Sequence, residues 1–131
     1  MPITYTFHDA GVVVTRFTGR VTDREFIAFY TQLYTDPDYV PGTSELADLR
    51  PILELDVSPG ALRRVEELAR ERYAGTDTGF RTAVIATRDQ AYGLARMYEV
   101  FAEDGPEAVR VCRTLAQALE WLGLEADAVE L

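Results

Sequence analysis

The spacing of hydrophobic residues changes several times along the chain, and each change marks a predicted element. From Ile3 to Asp9 the pattern alternates, with Ile3, Tyr5 and Phe7 on one side and Thr4, Thr6 and His8 on the other. That two-residue period predicts a strand with one covered face. Asp9-Ala10-Gly11 supplies a tight turn, with glycine free to take positive φ. Val12 to Thr18 is β-branched and aromatic, and it predicts a second strand folding back as a hairpin. Gly19 breaks it. Thr22 and Glu25 then form a capping box. Phe26, Phe29, Tyr30, Leu33 and Tyr34 follow at helical spacing, which gives an amphipathic helix with an aromatic face. Asp36-Pro37-Asp38 ends it.

Ser44 to Leu49 predicts a third strand, stopped at Pro51 because proline cannot donate to a ladder. Ser58-Pro59 opens a second helix, with serine as N-cap and proline in the first turn. Leu62, Val65, Leu68 and Ala69 form its inner face, and Gly75 suits its end. Thr82 to Ala86 is a continuous run of small, mostly apolar residues, as in a strand covered on both faces at the centre of a parallel sheet. A third helix is predicted from about Asp89 to Glu103. Val109 to Cys112 is the fifth strand. Thr114 caps a fourth helix that turns Leu115, Ala118, Leu119 and Leu122 inward and ends at Gly123. The order β-β-α-β-α-β-α-β-α implies a mostly parallel five-stranded sheet with one antiparallel hairpin strand and four helices. Residues 1–123 make a single domain, and 124–131 read as a tail without clear period.

Composition narrows the function classes. The 131 residues carry a net charge of −9, and every positive residue is arginine. So acidic a chain repels a phosphate backbone or an anionic membrane surface, which argues against nucleic-acid binding. No stretch approaches the roughly 18 apolar residues of a membrane span. The start, Met-Pro-Ile-Thr-Tyr-Thr-Phe, lacks the basic and apolar regions of a signal peptide. The expectation is therefore a cytoplasmic protein. Cys112 is the single cysteine, so no internal disulfide is possible, and His8 is the single histidine. Neither stands in a pattern of metal ligands or of an activated nucleophile, and no metal or cofactor is expected.

The element order resembles that of the SpoIIAA-like, or STAS, domains over roughly residues 3–122. Local residues share in it. Such domains have a strand ending Asp-Leu, then a loop Asp-Ser-Ser-Gly that opens a helix. Here Asp48-Leu49 is followed by Asp56-Val57-Ser58-Pro59-Gly60, with the two aspartates eight residues apart. Val57 replaces the first serine, and Pro59 stands where glycine is usual. The resemblance implies a non-enzymatic module that binds a protein partner and is switched by phosphorylation, with Ser58 as phosphoacceptor beside Asp56 and Asp48. The related CRAL-TRIO lipid-transfer domains share the β-α superhelix and hold apolar ligands.

The residues themselves leave each of these roles open. Ser58 is equally a plain helix cap. The third helix carries two apolar stripes where one suffices for a sheet face. Gly93, Met97, Val100 and Phe101, with Tyr92 at the margin, form the excess. That excess suits a homodimer interface, a ligand cavity, or burial under the N-terminal hairpin. Gly93 inside a helix costs about 1 kcal/mol against alanine and suggests close backbone approach. The aromatic face of the first helix, Phe26, Phe29, Tyr30 and Tyr34, is a candidate apolar pocket for a small molecule or lipid, and otherwise simply core. No catalytic constellation is readable, so the expectation is a protein that is not an enzyme.

Overall fold

The computed structural model describes residues 2–74 and 80–129. The expected end of the second helix at Gly75 lies outside the described residues. Eleven elements follow in chain order: β1 Ile3–His8, β2 Val12–Phe17, β3 Gly19–Thr22, α1 Asp23–Thr35, β4 Ser44–Asp48 and β5 Ile52–Asp56, then α2 Pro59–Tyr73, β6 Phe80–Ile85, α3 Asp89–Phe101, β7 Glu107–Cys112 and α4 Leu115–Leu122.

Five strands form one sheet in the order β1-β2-β4-β6-β7. β1 lies antiparallel to β2, with Ile3 opposite Phe17 and His8 opposite Val12. All other neighbours in this sheet run parallel. The hairpin turn places Gly11 at φ 77°, and its amide donates to the His8 carbonyl. The α/β architecture read from the sequence is therefore the observed one.

Alternate strand residues feed two cores. Val13, Phe17, Ala47, Val84 and Val111 pack under α1, α2 and α3. Val12, Val14, Leu46, Ala83, Ile85 and Cys112 pack on the other side with Ala118 and Leu119 of α4. Burial on both faces is why Thr82 to Ala86 has no polar alternation. The tail extends the second core, since Val129 is buried there and Leu124 and Ala128 pack against it.

The caps form as expected. Thr22 accepts from the Glu25 amide, and the Glu25 carboxylate accepts from the Thr22 amide. Thr114 and Gln117 repeat the device at α4, which ends on Gly123 at φ 71°.

A second, two-stranded parallel sheet of β3 and β5 is absent from the sequence reading. Gly19 bends the chain at φ 63°, and a register shift at Gly19/Arg20 lets a new strand begin. Pro51 ends β4's run, yet the chain re-extends one residue later. In β5 the buried residues Ile52 and Leu55 are three apart, a spacing that hides a strand. The outer edge of β5 is closed by a side chain: the Gln90 carboxamide accepts from the Leu55 amide at 3.0 Å and donates to the Leu55 carbonyl at 2.7 Å. Because β3 and β5 are parallel neighbours, the chain leaves both at the same rim. α1 and α2 therefore start side by side.

The expected close approach at Gly93 does not occur. Gly93 is exposed, and a Cβ built there meets nothing within 4 Å. Its cost is then the intrinsic one of glycine in a helix. Gly93→Ala should raise stability by about 1 kcal/mol, read as a higher urea midpoint with an unchanged slope. A loss of stability would show that this face is covered in solution.

Candidate functional site

The rim where α1 and α2 begin carries Ser58 and Asp56 of the three residues singled out by the family motif. Ser58 caps α2, its hydroxyl accepting from the Ala61 amide at 3.1 Å. The same hydroxyl donates to Asp23 Oδ2 at 2.7 Å, and the Ser58 amide donates to Asp23 Oδ1 at 2.6 Å. One carboxylate thus grips the start of the neighbouring helix. Ser58 is nonetheless exposed. Asp56 is exposed beside it and ion-paired with Arg20, whose guanidinium also reaches Glu54 at 3.3 Å. A phosphate on Ser58 would meet the Asp23 carboxylate that its hydroxyl now bonds. Asp23 escapes sequence reasoning because it lies 35 residues from Ser58. An acidic residue after a capping threonine reads only as a favourable helix start.

Asp48 is not part of this exposed group. Its side chain is 0% exposed. It accepts a forked pair from Arg50 at 2.9 and 3.1 Å, the Arg50 amide at 3.1 Å, and lies 3.5 Å from Arg16. It ties the end of β4 to the next turn and has nothing left to offer a partner.

The surplus apolar side of α3 is largely taken up within the monomer. Tyr92, Met97 and Phe101 are half-buried against the first core. The Arg113 guanidinium lies 3.8 Å from the Tyr92 ring, and that of Arg63 4.0 Å from the Phe101 ring. Gly93 and Val100 stay exposed.

The aromatic face of α1 divides. Phe26 and Tyr30 line an internal cavity of about 50 Å³ between the sheet and the helices. Phe29 and Tyr34 pack away from it, Phe29 edge-on to Tyr5 and Tyr34 against Tyr39. So small a cavity has room for water-sized guests and none for a lipid tail. Nor is its wall purely apolar, for Glu45 and Glu107 line it at 1% and 4% exposure. Each carboxyl is held by a threonine from a neighbouring strand and a tyrosine from a covering helix. Thr15 and Tyr30 donate to Glu45 Oε2 at 2.8 and 2.6 Å. Thr82 and Tyr98 donate to Glu107 Oε2 and Oε1 at 2.6 and 2.7 Å.

Burial is the largest influence on both carboxyls. It pushes Glu45 up from 4.5 to about 7, with the Glu107 charge adding and the Tyr30 and Thr15 bonds opposing. Glu107 is raised in the same way, opposed by Thr82 and Tyr98 and helped by Glu66 on α2. Burial also keeps Tyr30 and Tyr98 protonated, so both remain donors.

Cys112 is buried, and burial raises its thiol pKa, the direction of an inert sulfur. Among the described residues, no group of three or more histidine, cysteine, aspartate or glutamate side chains is placed to hold a metal ion. None of their helices is long and apolar enough to cross a membrane.

The layout can be set beside solved structures. It is similar to an uncharacterised protein of the DUF3478 family with a SpoIIAA-like fold from Shewanella loihica. The TM-score is 0.56 and the sequence identity 16%, over 92% of this chain and 91% of that one. This chain has a SpoIIAA-like fold. At that identity the likeness concerns the fold, and it singles out neither the STAS branch nor the CRAL-TRIO domains. No protein-family model matches the sequence, and no curated protein matches it significantly.

Within this SpoIIAA-like core, the raised carboxyl gives a signed pH effect. Folded Glu45 holds a proton that the unfolded chain releases near 4.5. Its stabilising contribution is complete below that value and is lost as pH rises through about 7. The urea midpoint should therefore fall from about pH 5 to about pH 8, and Glu45→Gln should flatten that fall. An equal slope in the variant would exclude Glu45 as the titrating group.

Proposed function

We propose that this chain is a non-enzymatic SpoIIAA-like module that docks a protein partner on the rim where α1 and α2 begin. The observation that carries the reading is the exposed clasp between Ser58 and Asp23, with the Arg20–Asp56 pair beside it. These groups are already ordered by one another, so a partner would meet a rigid polar surface at low entropic cost. Leu53, near the opposite end of β5 from Ser58, offers a separate apolar foothold at 67% exposure, next to Glu54 and the start of α3. An apolar side chain standing in a charged surround is the usual make-up of a contact patch. The exposure of Ser58 also suits a phosphorylation switch of the kind the STAS resemblance implies. A phosphate there would repel Asp23 and open the clasp, so the two states would differ in shape as well as charge.

The variants separate cap, clasp and docking. Ser58→Ala should cost about 1 kcal/mol through the lost cap bond. Ser58→Glu should cost more, because its carboxylate faces Asp23, and adding Asp23→Asn should restore part of the loss. Thermal melts of wild type, Ser58→Glu, Asp23→Asn and the double variant test this cycle, and strict additivity would dissolve the clasp as a unit.

For docking, quantitative affinity capture should show a defined protein retained by the wild type. That protein should be lost from Leu53→Asp and from Ser58→Glu while both variants remain folded. If both variants retain the same proteins as wild type, the rim is not the docking surface.

A further inference from the structure

Away from that rim, the outer edge of the main sheet, closed at the Val111 amide by Glu99, carries a concentration of positive charge that the net charge of −9 conceals. β7 is the last strand of the sheet. A cleft of about 410 Å³ borders it on the α4 side, lined by Arg81, Arg110, Arg113 and Trp121, with Glu120 the single acidic side chain. Arg81 and Arg110 set their guanidinium groups 4.9 and 4.5 Å from the Trp121 ring. Arg81 also donates to the Trp121 carbonyl at 2.8 Å, and the indole N–H donates to the Thr82 carbonyl at 3.2 Å. The two arginines are thus held in place by an aromatic ring. Among the described residues, neither has a carboxylate partner. Arg113 is less available, being paired with Asp89 at 3.1 Å.

A second cleft of about 410 Å³ follows the same strand on the α3 side and shares Arg110, Val111 and Trp121 with the first. Its charged lining is Arg96, paired to Glu99 at 2.9 Å, with Glu103, the buried Glu107 and the shared Arg110. Between the clefts lies the strand's outer backbone edge. The Val111 amide donates to Glu99 Oε1 at 3.0 Å, so it points away from β6. By the two-residue repeat of a strand, the amide of Val109 points the same way.

We propose that the edge of β7 docks an extended acidic peptide segment as an added strand. Its backbone pairs with β7 around Val109. Every second side chain is a carboxylate that falls into the α4-side cleft against Arg81 and Arg110, and the intervening neutral side chains enter the α3-side cleft, where Glu99 and Glu103 disfavour further acid. Main-chain bonds would supply affinity and the alternating clefts the specificity, as in other strand additions. Charge complementarity selects an acidic occupant. A nucleic acid is disfavoured, since it has no peptide N–H and C=O groups to pair with the strand. This surface is independent of the Ser58 rim.

The test uses a fluorescent six-residue peptide of alternating glutamate and threonine, the length of β7. Its controls are the lysine-threonine counterpart, the same acidic peptide with alternate backbone N-methylation, and inorganic phosphate as competitor. Anisotropy should report binding of the acidic peptide alone. The Arg81→Gln, Arg110→Gln double variant should weaken it by about tenfold or more. Val109→Pro, which removes the outward amide at an edge where proline is tolerated, should abolish it in a protein whose melt is otherwise cooperative. Ser58→Ala should leave it unchanged.

Absence of binding by the acidic peptide overturns the proposal. So does binding that survives N-methylation and is displaced by phosphate, which would mark a simple anion subsite.

Discussion

A carboxyl group cut off from water must either find donors or keep its proton, and this fold supplies the donors twice. Glu45 and Glu107 sit on strands in the helix-covered face of the sheet, where each receives one threonine and one tyrosine hydroxyl. The threonines come along the sheet and the tyrosines come down from α1 and α3. Each glutamate therefore fixes a helix onto the sheet at a defined height and rotation, which packing of Phe and Leu side chains alone leaves looser. The burial cost is offset locally, and the small cavity between the two groups marks where space was left rather than filled.

That arrangement explains why the expected apolar pocket is a different object in the folded protein. Tyr30 belongs to an aromatic helix face, but its hydroxyl is committed to Glu45. The ring fills core while the oxygen serves a carboxylate, a division that makes tyrosine suited to such positions. The SpoIIAA-like layout is then stabilised by polar contacts at the centre of what is otherwise a conventional two-sided hydrophobic core.

Much of the fold was legible because local chemistry and long-range packing agree. Alternation in the hairpin, the Thr22 capping box, the Thr114 cap, the Ser58-Pro59 helix start and the unbroken run at Thr82 each point to the element found there. Legibility failed where the signal is carried by pairs far apart in the chain. β3 holds only four residues, and β5 buries residues at helical rather than strand spacing. Glu45 reads as an ordinary surface glutamate, since its partners lie 15 and 30 residues away. Asp48 and Asp56 look equivalent in a motif, yet one is sealed by two arginines and the other faces solvent. Burial of that kind depends on what the next element lays over a residue, and no single-residue pattern encodes it.

The carboxamide of Gln90 carries a consequence for solubility. By satisfying both main-chain groups of Leu55 it acts as a one-residue surrogate strand. The β3–β5 ribbon is thereby sealed at that point without a third chain segment, and the amino end of α3 is stapled to it. A two-stranded ribbon with an open flank would invite like segments of other molecules to stack on it. Here a single neutral side chain discourages such polymerisation at the ribbon's margin.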